Sequence, residues 1–248
     1  SFIEGWDESP NSPTKATVPL LLTNAQVATI ASYTGQNARA IAVLVQHCTG
    51  VNDQMFNVVQ NYNIRENDTD NEWRNVYENG LHTAQTIING YADGYPWYLG
   101  IAKIIKAMNL GLATDLWGDI PNSEALKGLE GETHFQPKFD AQQLVIQDVQ
   151  KLLDEAIVHL SQPFSANTTV PGGDDVIFEG NPAAWIRTAW VLKARYAIRL
   201  TKRDPNSAVT NALSFLNSAY TAGLASTAND CIALFDGSGN AQNQWWAF

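Results

Sequence analysis

The sequence predicts an all-α protein made of paired helices joined by long irregular loops. Three observations carry that expectation. Apolar residues recur at helical spacing in successive stretches of the 248-residue chain. Small residues line one flank of the most regular stretch, so another helix can approach it closely. Clusters of Gly, Pro, Asn and Asp separate the stretches, and only residues 176–178 hint at a strand.

The first helix begins near Val18 or Pro19, with Leu20, Leu21, Leu22, Val27 and Ile30 in its stripe. Gly35 interrupts it. Residues 36–46 are apolar on most faces, and their alanines favour a helix over a strand. Between residues 49 and 70 the periodicity fails. That segment carries eleven Asn, Asp, Gln or Glu residues and reads as a long polar loop with one short helical turn. Asp70 or Asn71 caps the next helix, whose stripe runs Trp73, Val76, Tyr77, Leu81, Ala84, Ile87 and Ile88.

Gly90, Gly94 and Pro96 precede the most informative stretch, residues 98–126. Ile101, Ile104, Ile105, Met108, Leu112 and Leu116 define a long helix, and Ala102, Ala107 and Gly111 keep its other flank small. It must stop near Trp117, because Gly118 can adopt positive φ and Pro121 disfavours helix at Ile120. The hairpin formed by residues 73–111 has the size and small-residue pattern of a tetratricopeptide unit.

A Gly-rich acidic connector fills residues 127–137, and helical spacing resumes over 139–160 with Asp140 near the start, where it suits the helix dipole. Residues 161–179 are irregular. Asn181 then caps a helix that starts at Pro182 and runs to residue 202. That helix concentrates six of the fifteen cations, Arg187, Lys193, Arg195, Arg199, Lys202 and Arg203, so some must face inward. Asp204-Pro205 ends it, and residues 207–223 form its partner. Three aromatics close the chain, where polar fraying is usual, so the polypeptide is expected to be truncated at its C-terminus.

The totals narrow the functional classes. A net charge of −10 argues against a nucleic-acid partner and against an electrostatic hold on anionic lipid. No stretch of about eighteen apolar residues exists to span a bilayer. Nothing resembles a linker between two cores, so residues 1–248 read as one helical domain. His47, His82, His134 and His159 never fall at metal-ligand spacing, and no cofactor is implied. His47 and Cys48 point about 100° apart on a helix and cannot form a dyad. Cys48 and Cys231 set no disulfide framework, although one bridge between them is conceivable in an exported protein.

Residues 113–125 read Ala-Thr-Asp-Leu-Trp-Gly-Asp-Ile-Pro-Asn-Ser-Glu-Ala. This run resembles the TD-aromatic-GD-x-P-x-SEA signature of SusD/RagB outer-membrane lipoproteins, in the SusD-like branch. The match continues upstream in residues 72–77, 34–36 and 46–50, and downstream in residues 181–185 and 194–200, so it covers nearly the whole chain. The resemblance implies a fold of tetratricopeptide-like helix pairs. It also implies a non-catalytic glycan- or nutrient-binding lid for a SusC-like TonB-dependent transporter on the extracellular face of the outer membrane. The ligand would be an oligosaccharide, or a peptide as in RagB-like members. Residues 1–17 look like the extended tether that follows a lipidated cysteine, an anchor absent from this sequence.

By the same resemblance, sugar contacts of the N-terminal half come from the polar loop before the Trp73 helix. Asn52, Asp53, Gln54, Phe56, Tyr62 and Arg65 are therefore candidates by location and chemistry. Trp245 and Trp246 join them, since aromatic faces stack on pyranose C–H faces while amides and Arg satisfy hydroxyls. Trp73, Trp117, Trp185 and Trp190 fall on helical stripes or at a helix end and read as structural.

Asp115 and Asp119 invite a second reading, a glycoside hydrolase with two carboxylates flanking a scissile bond. Asp115, however, sits in the last turn of its helix, where it opposes the dipole and needs a partner. Arg195 or Arg199 could supply one. The expectation is therefore that both aspartates are structural and that no residue is catalytic. A pure scaffold that grips only another protein is the third reading.

Overall fold

The computed structural model describes residues 16–91, 93–235, 242, 243 and 245. The proposed tether, residues 1–17, lies almost wholly outside them, as does Trp246.

Helix α5 (Pro96–Trp117) is the axis of the fold. Its first residue is proline, which needs no N–H partner at that position. Its apolar and small residues run round the cylinder, and it is buried on nearly every face, as such a helix must be. Gly118 ends it with φ 77°, as the sequence predicts. On one side lies α6 (Gln142–Leu160), where Gly100 lets the backbone approach Leu160 and Ala156. Gly111 meets the Tyr196 ring of α7 (Pro182–Ile198) so closely that a Cβ there would overlap it.

On the other side stand α1 (Val18–Thr34) and a continuous helical rod. The rod begins as α3 (Asp70–Arg74), widens to π geometry over Asn75–Leu81 and finishes as α4 (His82–Gly90). Helix α8 (Pro205–Thr221) pairs with α7 through a small cluster of Ala194, Ala197 and Ala212, flanked by Phe215 and Leu216. The helix pairs thus stack in layers, with α1 against the rod, α5 against α6 and α7 against α8. One core runs through the first layers, from Leu22 and Ala25 through Ile101, Ile104 and Ile105 to Val149, Leu153 and Trp185. The all-α, tetratricopeptide-like architecture expected from the sequence is the one observed. Short helix α2 (Gln36–Leu44) lies outside that core with only Val43 buried.

Four local expectations need correction. Residues 176–178 form turns, because their backbone wraps the Asp175 carboxylate. The helix expected over 139–160 starts at Gln142. The two residues before Ala141, β2 (Phe139–Asp140), instead pair with β1 (Ile120–Pro121). Asp140 therefore serves the signature turn, accepting from Asn122 N–H at 3.2 Å and from Ser123 N–H and Oγ at 2.6 and 3.0 Å. The helix expected to reach 202 stops at Ile198, and the chain turns through Arg203 before Asp204 caps α8 at the Ser207 N–H, 3.0 Å away. The polar loop is more helical than expected, with a π-helical turn at Met55–Gln60 and a 3-10 turn at Glu66–Thr69.

Candidate ligand-binding site

The sequence-predicted residues of the N-terminal half all stand on the exposed segment that runs from the end of α2 to the start of α3. Asn52, Asp53, Gln54 and Arg65 are exposed, and Phe56 and Tyr62 expose 45% and 66% of their surface. So much aromatic surface left in water is a price the fold does not need to meet for packing. The segment is nonetheless held. Gly50 N–H donates to Gln60 Oε1 at 3.1 Å, and Asn63 N–H donates to the Val58 carbonyl at 2.8 Å. The Tyr62 hydroxyl donates to the Leu44 carbonyl at 3.3 Å, tying the segment to the last residue of α2.

Gln46, Asp53 and Tyr62 all adopt left-handed backbone, with φ of 62°, 48° and 54°. Side chains other than glycine enter that region at a steric cost, and such residues cluster where surrounding structure fixes a particular presentation. Here the outliers bracket the π-helical turn that carries Phe56.

After Tyr62 the segment returns along α2. Gln36 Nε2, in the first turn of α2, reaches the Asp68 carbonyl at 3.5 Å, and Asp68 Oδ2 accepts from the Arg65 N–H at 2.8 Å. Trp245 arrives at this same end, where its Nε1 donates to the Thr34 carbonyl at 2.7 Å. Trp245 and Arg65 thus stand toward the start of α2 and Tyr62 toward its end, separated by roughly 13 Å of nine-residue helix. Among the described residues no hydrogen bond joins the two groups. Asp68 was not singled out by the sequence, and Gln36 appeared there only within the family-like run 34–36.

The two aspartates of the hydrolase reading are occupied. Arg199 holds Asp115 with two donors, Nε to Oδ1 at 3.0 Å and Nη2 to Oδ2 at 2.8 Å, which decides between the two candidate arginines. Asp119 Oδ1 accepts from the Gln142 N–H at 2.8 Å, at the first residue of α6. Each carboxylate compensates a helix end, Asp115 through its cation and Asp119 directly.

The other tryptophans fall as expected. Trp185 is fully buried, and Trp73 and Trp117 pack against the core with ring centroids 5.0 Å apart. Trp190 is half-buried on α7 beside Phe215. Cys48 and Cys231 are both exposed free thiols. Among the described residues no group of three or more His, Cys, Asp or Glu could hold a metal ion, and no helix is long and apolar enough to cross a membrane.

A SusD-like family model, described as starch-binding and associating with the outer membrane, matches residues 10–247. A SusD/RagB family protein from Bacteroides thetaiotaomicron superposes with a TM-score of 0.78 at 25% identity, over 94% of this chain and 48% of its own. A chitin-binding protein superposes at 0.70 and 25% identity, over 87% of this chain and 45% of its own. A chitin-binding SusD homolog from Flavobacterium johnsoniae reaches 0.59 at 19% identity, over 78% and 42%. The chain therefore spans less than half the length of these solved structures. No curated protein matches it.

Proposed function

We propose, on the premise that this chain belongs to the SusD-like family, that it is a non-catalytic glycan-binding component of an outer-membrane nutrient-uptake system. One observation carries the reading at the level of residues. Phe56 and Tyr62 expose aromatic faces on a segment bracketed by left-handed residues, with Asn52, Asp53 and Gln54 supplying donors and acceptors just before Phe56 and Arg65 standing toward the other end of α2. That combination suits a sugar, whose C–H faces need an apolar platform and whose hydroxyls need planar polar partners. Trp245, bonded to the far end of α2, extends the face, and Trp246 is proposed to join it.

The rest of the proposal follows the family. The chain acts as one helical domain, residues 1–17 serve as a tether to a lipid anchor on the extracellular face, and a SusC-like TonB-dependent transporter is the partner. Asp115 and Asp119 are engaged in structural bonds, which supports binding without turnover.

Affinity electrophoresis through gels containing starch, chitin-derived and other glycans tests the reading. Retardation by at least one glycan that is weakened by Phe56→Ala and Tyr62→Ala supports it. Retention of a peptide and of no glycan would favour the RagB-like reading. Binding to the transporter alone would leave a pure scaffold.

A further inference from the structure

Helices α7 and α8 meet through small residues and leave between them a trough of about 410 Å³ with no residue of α6 in its wall. Its two sides are helix faces. Val191, Arg195 and Ile198 stand on α7 and Val209, Leu213 and Leu216 on α8, in both cases at i, i+4 and i+7, with buried alanines between the rows. Ile198, Val209 and Leu213 expose 42%, 44% and 58% of their surface, and Tyr220, at 63%, extends the α8 row by one more turn. Contiguous aliphatic surface of this kind, unlike scattered exposed residues, marks a place where another element packs. In a stack of helix pairs each layer covers the one before it, and among the described residues no helix covers this side of α7 and α8.

The charges say which kind of helix fits. Neither α7 nor α8 contains an Asp or Glu, although the chain as a whole carries a net charge of −10. Arg195 lines the trough, and Arg187, two turns earlier on the same side of α7, lies beside Gly223 just beyond the end of α8. Lys193 is paired with Asp154 and Arg199 with Asp115. No carboxylate among the described residues pairs with Arg187 or Arg195.

We propose that the α7–α8 trough docks an acidic amphipathic helix of a partner protein, its apolar stripe seated between the two rows and its carboxylates on Arg187 and Arg195. The aliphatic rows supply the buried surface, and the arginines steer the encounter and fix the register. A second copy of this chain does not fit, because pairing through the same face would add two more arginines and no acid. A bilayer fits no better, since the trough is concave and the chain around it is acidic overall. The trough shares no residue with the α2 face, so it stands or falls apart from glycan binding.

The test uses a fluorescein-labelled helical peptide with leucines at i, i+3, i+4 and i+7 and glutamates flanking them, together with its twin in which every glutamate is lysine. Anisotropy titrations with the intact chain should give the glutamate peptide an affinity about tenfold or more above that of the twin, a gap that narrows as NaCl is raised. Arg195→Glu should abolish the preference. Leu213→Asp, at an exposed position, should weaken binding of the glutamate peptide by about tenfold or more. Thermal melts establish that both variants are folded, and Phe56→Ala should leave peptide binding unchanged. No binding of the glutamate peptide, equal binding of the two peptides, or an unchanged titration in folded Leu213→Asp or Arg195→Glu overturns the proposal. So does dimerisation of the parent that Leu213→Asp abolishes, because the trough would then belong to a second copy.

Discussion

Trp185 Nε1 donates to Asp175 Oδ2 at 2.7 Å inside the core, and neither side chain exposes any surface. The same carboxylate accepts from Gln26 Nε2 at 2.7 Å and from the backbone N–H groups of Ile177, Phe178 and Gly180. Gln26 closes the circuit by accepting from the Val176 N–H at 2.9 Å. One aspartate therefore joins α1, the 171–180 turn and α7, and five donors make good the hydration it gives up on burial.

Asp175→Ala should destabilise the chain by roughly 3–4 kcal/mol, since it strands buried donors on Trp185, Gln26 and Gly180 at once. Trp185→Phe, which removes one donor and keeps most of the packing, should cost about 1–2 kcal/mol from the lost bond. Urea denaturation at neutral pH measures both. Equal losses would mean that packing, not the carboxylate, dominates here.

Gly111→Ala should be poorly tolerated. The added Cβ would overlap the Tyr196 ring, which is held at 1% exposure between α5 and α7. Overpacking of this kind costs about 1–3 kcal/mol. Tyr196→Leu in the same chain should recover part of the loss, and a thermal melt of the single and double variants reads the coupling.

Asp140 predicts part of the acid sensitivity. Burial pulls its carboxyl upward, but the Ser123 N–H and hydroxyl and the Asn122 N–H outweigh that and hold it below the usual carboxylate range. Because the folded value is depressed, the stabilisation is complete above the unfolded value of about 3.9 and is lost as pH falls through the folded one. Asp140→Asn should therefore lower stability at pH 7 and flatten the fall in stability below about pH 4. An unchanged acid limb of the stability curve would refute the assignment.

Phe56→Ala and Tyr62→Ala should each weaken glycan retardation by about tenfold, in line with the loss of one aromatic contact of about 1.5 kcal/mol. Their exposure predicts stability changes within about 0.5 kcal/mol for Phe56→Ala. Tyr62→Phe, which loses only the bond to Leu44, separates platform from anchoring in the same gels.

Asp119→Asn distinguishes capture from hydrolysis. The parent chain should release no sugar from a polysaccharide panel, and the variant should behave identically in that assay. Sugar release by the parent that disappears in Asp119→Asn would replace the binding reading with a hydrolase. The stability of the variant should stay within about 0.5 kcal/mol of the parent, because an amide oxygen at that position can still accept from the Gln142 N–H.

The amino-acid order alone set the long helices, their succession and the stop of α5 at Gly118. Periodic apolar stripes, Pro at first turns and Gly at ends are local signals, and the thirteen-residue run at 113–125 identified the lineage. It also required a cation for Asp115, because a carboxylate in a last turn opposes the dipole. Packing of α7 against α5 chose Arg199 over Arg195, since Arg195 lies in the last turn of α7 and Arg199 just past its end, and which of the two reaches Asp115 depends on that packing. Likewise Asp140 left its expected dipole role once β1 and β2 paired, and Asp175, in a stretch that reads only as irregular, became the centre of a buried network. The buried Lys193, paired with Asp154 of α6, belongs to the same class. Local sequence says how a segment would fold alone, whereas the partners of a buried polar group come from segments distant in the chain.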